Sequence, residues 1–238
     1  MGANRWIEDE AWPPPSVRTC RAYLRSGGRA QTLAGDGRLA WDAPAGDEAA
    51  DTYAYDPRDP TPSVPDVEAL PFGDVPFDNR WRLRRDDVLV YTSAPLEEDL
   101  EVTGHPTVVL HADSDCVDTD WYVSLCDVLP SGRSDQLTMG CLRAAYREGV
   151  DVAPSPLEPG RVYQLHLEMM ATSNVFRAGH RIRVCVASAH FPTRAANPNT
   201  NARPGDDDVT RVARNTVHHD AAHPSHVVLP VPERGARR

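Results

Sequence analysis

Apolar and polar side chains alternate with a period of two in several short stretches of the chain. Trp121, Val123 and Leu125 alternate with Tyr122, Ser124 and Cys126, which predicts a half-buried strand ending at the turn Pro130-Ser131-Gly132-Arg133. Leu137 to Ala145 then returns as its hairpin partner. Tyr163, Leu165, Leu167 and Met169 fall on one face of a further strand, with Gln164, His166 and Glu168 on the other. Ile182, Val184 and Val186 repeat the pattern against Arg181, Arg183 and Cys185. Val88 to Thr92, Thr107 to His111 and Val227 to Val231 are short Val-rich runs suited to a sandwich. Upstream, the turn residues of Tyr23 to Gly28 and of Gly35-Asp36-Gly37 frame short strands around Tyr23 and Leu39. Asp51 to Ser63, with its paired Asp-Pro turns, reads as an extended, loop-like crossover, and Val64 to Asn79 as the longest surface loop. No stretch of a dozen residues shows a clean helical period. The expected fold is an all-β sandwich whose core includes Trp121, Val123, Leu125, Tyr163, Leu165, Ile182, Val184 and Val186.

Composition narrows the function classes more than the fold. The 238 residues suffice for one β domain with a lead-in, and 22 Pro and 15 Gly punctuate it too often for long helices. The formal net charge is −10 and all 25 basic residues are Arg. Nucleic acids and anionic membranes bind by phosphate neutralisation, so a negative surface argues against both as partners. Nothing resembles a membrane span, and Met1 to Trp12 lacks the apolar run of a secretory signal, so the expected location is cytoplasmic. Cys20, Cys116, Cys126, Cys141 and Cys185 form no CxxC pair and no metal-ligand spacing. They read as small buried hydrophobes of a reducing compartment.

Candidate chemistry is sparse. A hydrolase nucleophile needs glycines two residues to either side of Ser, because the strained strand-to-helix elbow admits only small neighbours. No Ser meets that condition; Ser26 before Gly27-Gly28 and Ser131 before Gly132 both read as polar turns. Asp113, Asp115, Asp118 and Asp120 lie at a spacing a calcium loop could use, but the EF-hand's central Gly and final Glu are missing, and structural hydrogen bonding in a turn is the favoured reading. His218, His219, Asp220, His223 and His226 invite a zinc reading, which Pro224 and the lack of a His-Glu-x-x-His helix weaken. His105, His111, His166, His180 and His190 have no positioned nucleophile, and His180 reads as a turn residue.

Five strings, in order, resemble one protein family: VLVYTSAPL (Val88 to Leu96), DTDWYVSLCDVLPSGR (Asp118 to Arg133), GHRIRVCVASAHFP (Gly179 to Pro192), NPNT (Asn197 to Thr200) and HHDAAHPSHVVLPV (His218 to Val231). They look like the C-terminal domain of X-Pro dipeptidyl-peptidases and of the cocaine esterase and α-amino-acid ester hydrolase group. The resemblance implies a galactose-binding-like jelly-roll over residues 20–232, preceded by a lead-in over 1–19 and followed by a disordered tail over 233–238. In that family an α/β-hydrolase domain supplies a Ser-Asp-His triad, and the jelly-roll buttresses it and often mediates oligomerisation. The implied partner is therefore an α/β-hydrolase catalytic domain or chain, with a homo-oligomer as a further expectation. This chain lacks the nucleophile motif, so no catalytic residue, cofactor or metal is expected of it.

MGANRWIEDEAWPPP (Met1 to Pro15) matches the family's entry into the jelly-roll, where the Met lies inside a longer polypeptide. The resemblance makes Trp6 and Trp12 candidates for an interdomain surface, and a lost neighbouring strand would leave an edge unpaired at Met1. Two other readings stay open: a free-standing carbohydrate- or calcium-binding jelly-roll, and an accessory subunit of a separately encoded hydrolase.

Overall fold

The computed structural model describes residues 1–63, 77–201 and 209–233. Residues 64–76 of the expected long loop and nearly all of the expected tail lie outside that set. Among the described residues, strands account for nearly all regular structure: β1 (Val17–Arg25), β2 (Arg38–Ala40), β3 (Asp51–Tyr55), β4 (Phe77–Asp78), β5 (Leu89–Ser93), β6 (Leu100–Gly104), β7 (Thr107–Ser114), β8 (Asp120–Val128), β9 (Ser134–Arg143), β10 (Tyr163–Glu168), β11 (Thr172–Phe176), β12 (Arg181–Ala187), β13 (Ala213–His218) and β14 (His226–Pro232). Single 3-10 turns occur at Arg82–Arg84 and Ala144–Tyr146. None of the described helices is long and apolar enough to cross a membrane.

The ladder runs β3-β13-β7-β14-β1-β2-β5-β12-β8-β9-β4, with β10 on the other edge of β7, and β6 and β11 form a separate pair. Inward residues of β8 and β12 share one core with those of β7, β10 and β14, as a sandwich requires. Trp121, Val123, Leu125, Leu165, Ile182, Val184 and Val186 are all at most 2 % exposed, while Tyr163 packs at the core's margin. The all-β sandwich and its core are as the alternation predicted.

Three local features differ. The strand from Asp120 is buried on both faces, not one. Its second face meets a smaller cluster of Leu83, Val88, Val90, Cys126, Cys185 and Ala187, supplied partly by the segment that leads into β5. Asp51 to Tyr55 is a strand rather than a loop, because Asp51, Tyr53 and Tyr55 alternate inward and the chain pairs with β13; the Asp-Pro turns act only after it. β1 begins at Val17, within the segment expected as lead-in, and pairs with β14 out to Pro232.

The lead-in is tied down at its first residues. The Met1 amino group donates to Ser173 O at 2.7 Å, and Val175 N donates to Met1 O at 3.2 Å, so residue 1 continues the β11 edge. Gly2, at φ +67°, passes so close to β11 that a Cβ would stand 2.1 Å from Val175 O. Only glycine meets both the torsion and the approach.

Candidate functional site

A buried, multiply hydrogen-bonded carboxylate lies between β1, β3 and the β13–β14 connection. Asp51 is fully buried at the start of β3. Its Oδ1 accepts from Ala30 N at 2.8 Å, and its Oδ2 accepts from Ser26 Oγ at 2.7 Å, from Tyr91 OH at 2.8 Å and faces His219 Nε2 at 2.9 Å. Burial alone would raise the Asp51 pKa, but these hydrogen bonds, led by that from His219, bring it below the usual carboxylate value. His219 is fully buried, and its Nδ1 lies 3.3 Å from Glu48 Oε2. Glu48 is in turn paired with Arg25.

Ser26, His219 and two carboxylates in contact invite comparison with a hydrolytic triad. Ser26 Oγ is 3.1 Å from His219 Nε2, but that same nitrogen also faces Asp51, and the Ser hydroxyl donates its proton to the carboxylate instead. Gly28 N further donates to Ser26 Oγ at 2.9 Å. A base must be available to take the nucleophile's proton, and the nucleophile must be open to substrate. Ser26 is 5 % exposed and His219 0 %. The arrangement is that of a buried structural network joining distant strands, in which His219 Nδ1 and Glu48 Oε2 face each other at 3.3 Å without the alignment of a hydrogen bond.

The four Asp of the 113–120 stretch separate rather than converge. Asp113 Oδ2 faces His218 Nε2 at 2.7 Å, and Asp115 accepts from Arg214 N at 2.8 Å. Asp118, fully buried, pairs with Arg143 Nε at 2.6 Å and accepts from Ala145 N at 3.0 Å and Asn197 Nδ2 at 3.1 Å. Asp120 accepts from Asn197 Nδ2 at 2.7 Å, and burial pushes its pKa up to about 6. Asn197 of the NPNT string thus bridges two carboxylates of the DTDW string.

The grouping of metal-ligand side chains that does form among the described residues is His218, Asp220 and His223. Of the remaining histidines, His180 bonds Asp127 Oδ1 at 2.8 Å on neighbouring β8, a strand contact and not a bond within its own turn, and burial lowers the pKa of His190 to about 3, keeping it neutral. All five cysteines are free thiols, three of them buried; Cys20 is half-buried and Cys141 exposed, contrary to the expectation of burial, because Cys141 faces outward from β9. Trp6 is fully exposed and Trp12 is 53 % exposed, with Trp12 Nε1 donating to His105 Nε2 at 3.4 Å. Met1, Asn4, Arg5, Trp6, Ile7 and Trp12 border a shallow surface hollow that reaches Thr103 and Ser173.

A model of the X-Pro dipeptidyl-peptidase C-terminal non-catalytic domain matches residues 1–228. The chain belongs to this family. It is 40% identical over 237 residues to the cocaine esterase of Rhodococcus sp. (strain MB1 Bresler), covering 98% of this chain and 41% of the esterase. The fold superposes on an aminopeptidase from a marine sediment Thaumarchaeota archaeon with a TM-score of 0.86 at 30% identity, covering 98% of this chain and 40% of that one. A selenomethionine-labelled alpha-amino acid ester hydrolase gives a TM-score of 0.81 at 30% identity, over 97% of this chain and 40% of the other. The chain therefore spans about two-fifths of the length of these relatives.

Proposed function

We propose that this domain acts as the structural jelly-roll of a serine-hydrolase assembly of the esterase or dipeptidyl-peptidase type, docking onto an α/β-hydrolase domain or chain and contributing no reacting group. The observation that carries this reading is the contrast between the interior and the lead-in. The acid and base side chains of the Asp51 and Asp118 networks are consumed in buried hydrogen bonds. Trp6 and Trp12, by contrast, stand open on a segment held against β11. A fully exposed Trp costs apolar surface in water and gains from cover. Acyl transfer to a serine and then to water would be the partner's chemistry, with this domain serving as its buttress. The free thiols support a cytoplasmic residence.

The same face would draw copies of the chain together when no hydrolase covers it. Light scattering over a dilution series compares the wild type with the Trp6→Ser/Trp12→Ser double variant. The wild type should associate and the double variant should remain monomeric. A monomeric wild type, or oligomers untouched by the double change, would count against this face as a docking surface.

A further inference from the structure

The histidines that sequence spacing left as a string are brought together by strand register. β13 and β14 both pair with the same edge of β7, one beyond the other, so the connection 219–225 leaves that edge and returns to it. Ser225 fills the gap: its Oγ accepts from His111 N at 2.8 Å and donates to His218 O at 2.5 Å. His218 lies opposite His111 in the ladder. The His223 ring then packs against both, with centroids 5.8 Å from His111 and 5.5 Å from His218. Ligand atoms of His218, Asp220 and His223 all lie within 4.8 Å of one another.

Two further observations favour a bound ion over a simple hydrogen-bonded cluster. Nδ1 of His111 and Nδ1 of His223 are both buried without a hydrogen-bond partner. His223 Nδ1 stands 3.3 Å from Asp220 Oδ1 without the alignment of a hydrogen bond. Orphaned ring nitrogens cost free energy unless something accepts their lone pairs. The other observation concerns His218, whose Nε2 is engaged by Asp113 at 2.7 Å, leaving Nδ1 to carry the lone pair. A carboxylate behind a ligating imidazole is the usual outer-shell device that fixes tautomer and ring orientation. Asp113 and Asp220 also bring two carboxylates to a group of three imidazoles.

The geometry points to a transition-metal site in which His218, Asp220 and His223, completed by His111, bind one zinc-like divalent ion that fastens the 219–225 connection to β7. Nitrogen-rich donor sets select zinc, nickel, cobalt or copper over calcium and magnesium. Tetrahedral bonds of about 2.0–2.1 Å set ligand atoms about 3.4 Å apart, so His218, Asp220 and His223 must close from within 4.8 Å by up to about 1.4 Å, and His111, outside that grouping, must swing in toward them. Side-chain rotation supplies that, because none of the three side chains is fully buried.

The test uses the full chain, stripped with a chelator, titrated with Zn²⁺ by calorimetry and with Co²⁺ by visible absorption. One ion per chain should bind, Co²⁺ should give the d–d bands of a tetrahedral nitrogen-ligated site, and Zn²⁺ should raise the Tm. His223→Ala, at a side chain 38% exposed, should fold normally and lose more than the roughly 10–100-fold in affinity that an outer-shell change costs. Asp113→Asn should fall within that range, and His166→Ala, an exposed histidine on β10, should change nothing. Wild type taking up no more Zn²⁺ than His223→Ala, or His166→Ala losing as much affinity as His223→Ala, would overturn the site.

Discussion

Replacing Asp51 by Asn keeps the shape of the side chain and removes its charge, which isolates what the carboxylate does. Oδ2 serves Ser26 Oγ, Tyr91 OH and His219 Nε2, and Oδ1 serves Ala30 N. An Asn oriented with its oxygen toward the first three groups must turn its NH2 toward the Ala30 N–H, and the flipped orientation is worse. At least one buried donor and the new NH2 are then unsatisfied, at about 1–3 kcal/mol each. The remaining bonds also lose charge assistance. A destabilisation of about 3 kcal/mol is expected, which for a domain of this size lowers Tm by roughly 6–12 °C. Because the folded-state pKa of Asp51 is depressed, its contribution is present above the unfolded carboxylate pKa and is lost as pH falls through the folded value. Thermal melts by circular dichroism from pH 7 to pH 3 should therefore show a wild-type advantage at neutral pH that shrinks toward the acid end. A variant that melts within about 2 °C of wild type at pH 7, or a gap that widens on acidification, would refute the reasoning.

Asp118→Ala should cost about 3–5 kcal/mol, since it strips a buried carboxylate from Arg143, Ala145 N and Asn197, and urea unfolding would measure it. Added Ca²⁺ should leave the wild-type melting temperature unchanged, because Asp113, Asp115, Asp118 and Asp120 are each engaged by protein groups, the last two sharing Asn197; a calcium-dependent rise in Tm would contradict that placement. In native buffer, an aromatic disulfide reagent should modify Cys141 rapidly and Cys116, Cys126 and Cys185 only on unfolding. Rapid reaction at Cys126 or Cys185 would mean that the cover over the second face of β8 opens readily.

The main core was legible because period-two alternation fixes which face of a strand is buried. Trp121, Val123 and Leu125 needed no other information. Cys126 and Cys185 are buried as expected, but what covers them was not legible, since Leu83 and Val88 are laid over the outer face of the sheet by a separate stretch of chain. β3 was missed because the Asp-Pro turns that follow it are stronger local signals than the inward Asp51, Tyr53 and Tyr55. The buried network joins Asp51 to His219 across 168 residues, a distance no local motif spans. His111 likewise reaches His218 only through the β7–β13 register. The motif strings pointed to the family, yet the bridge from Asn197 to Asp118 and Asp120 appears only once the fold brings two strings together.

The central claim is that this domain supplies support and no nucleophile, and labelling with a fluorophosphonate serine probe tests it most directly. Ser26 is the informative position, since its hydroxyl lies 3.1 Å from His219 and 2.7 Å from Asp51 yet is shut from solvent. Intact mass and peptide mapping of the isolated chain should show no adduct, and p-nitrophenyl esters and X-Pro reporters should turn over no faster than in buffer. Stoichiometric labelling of Ser26, lost on its replacement by Ala together with any ester turnover, would contradict the account and identify a working nucleophile in this domain.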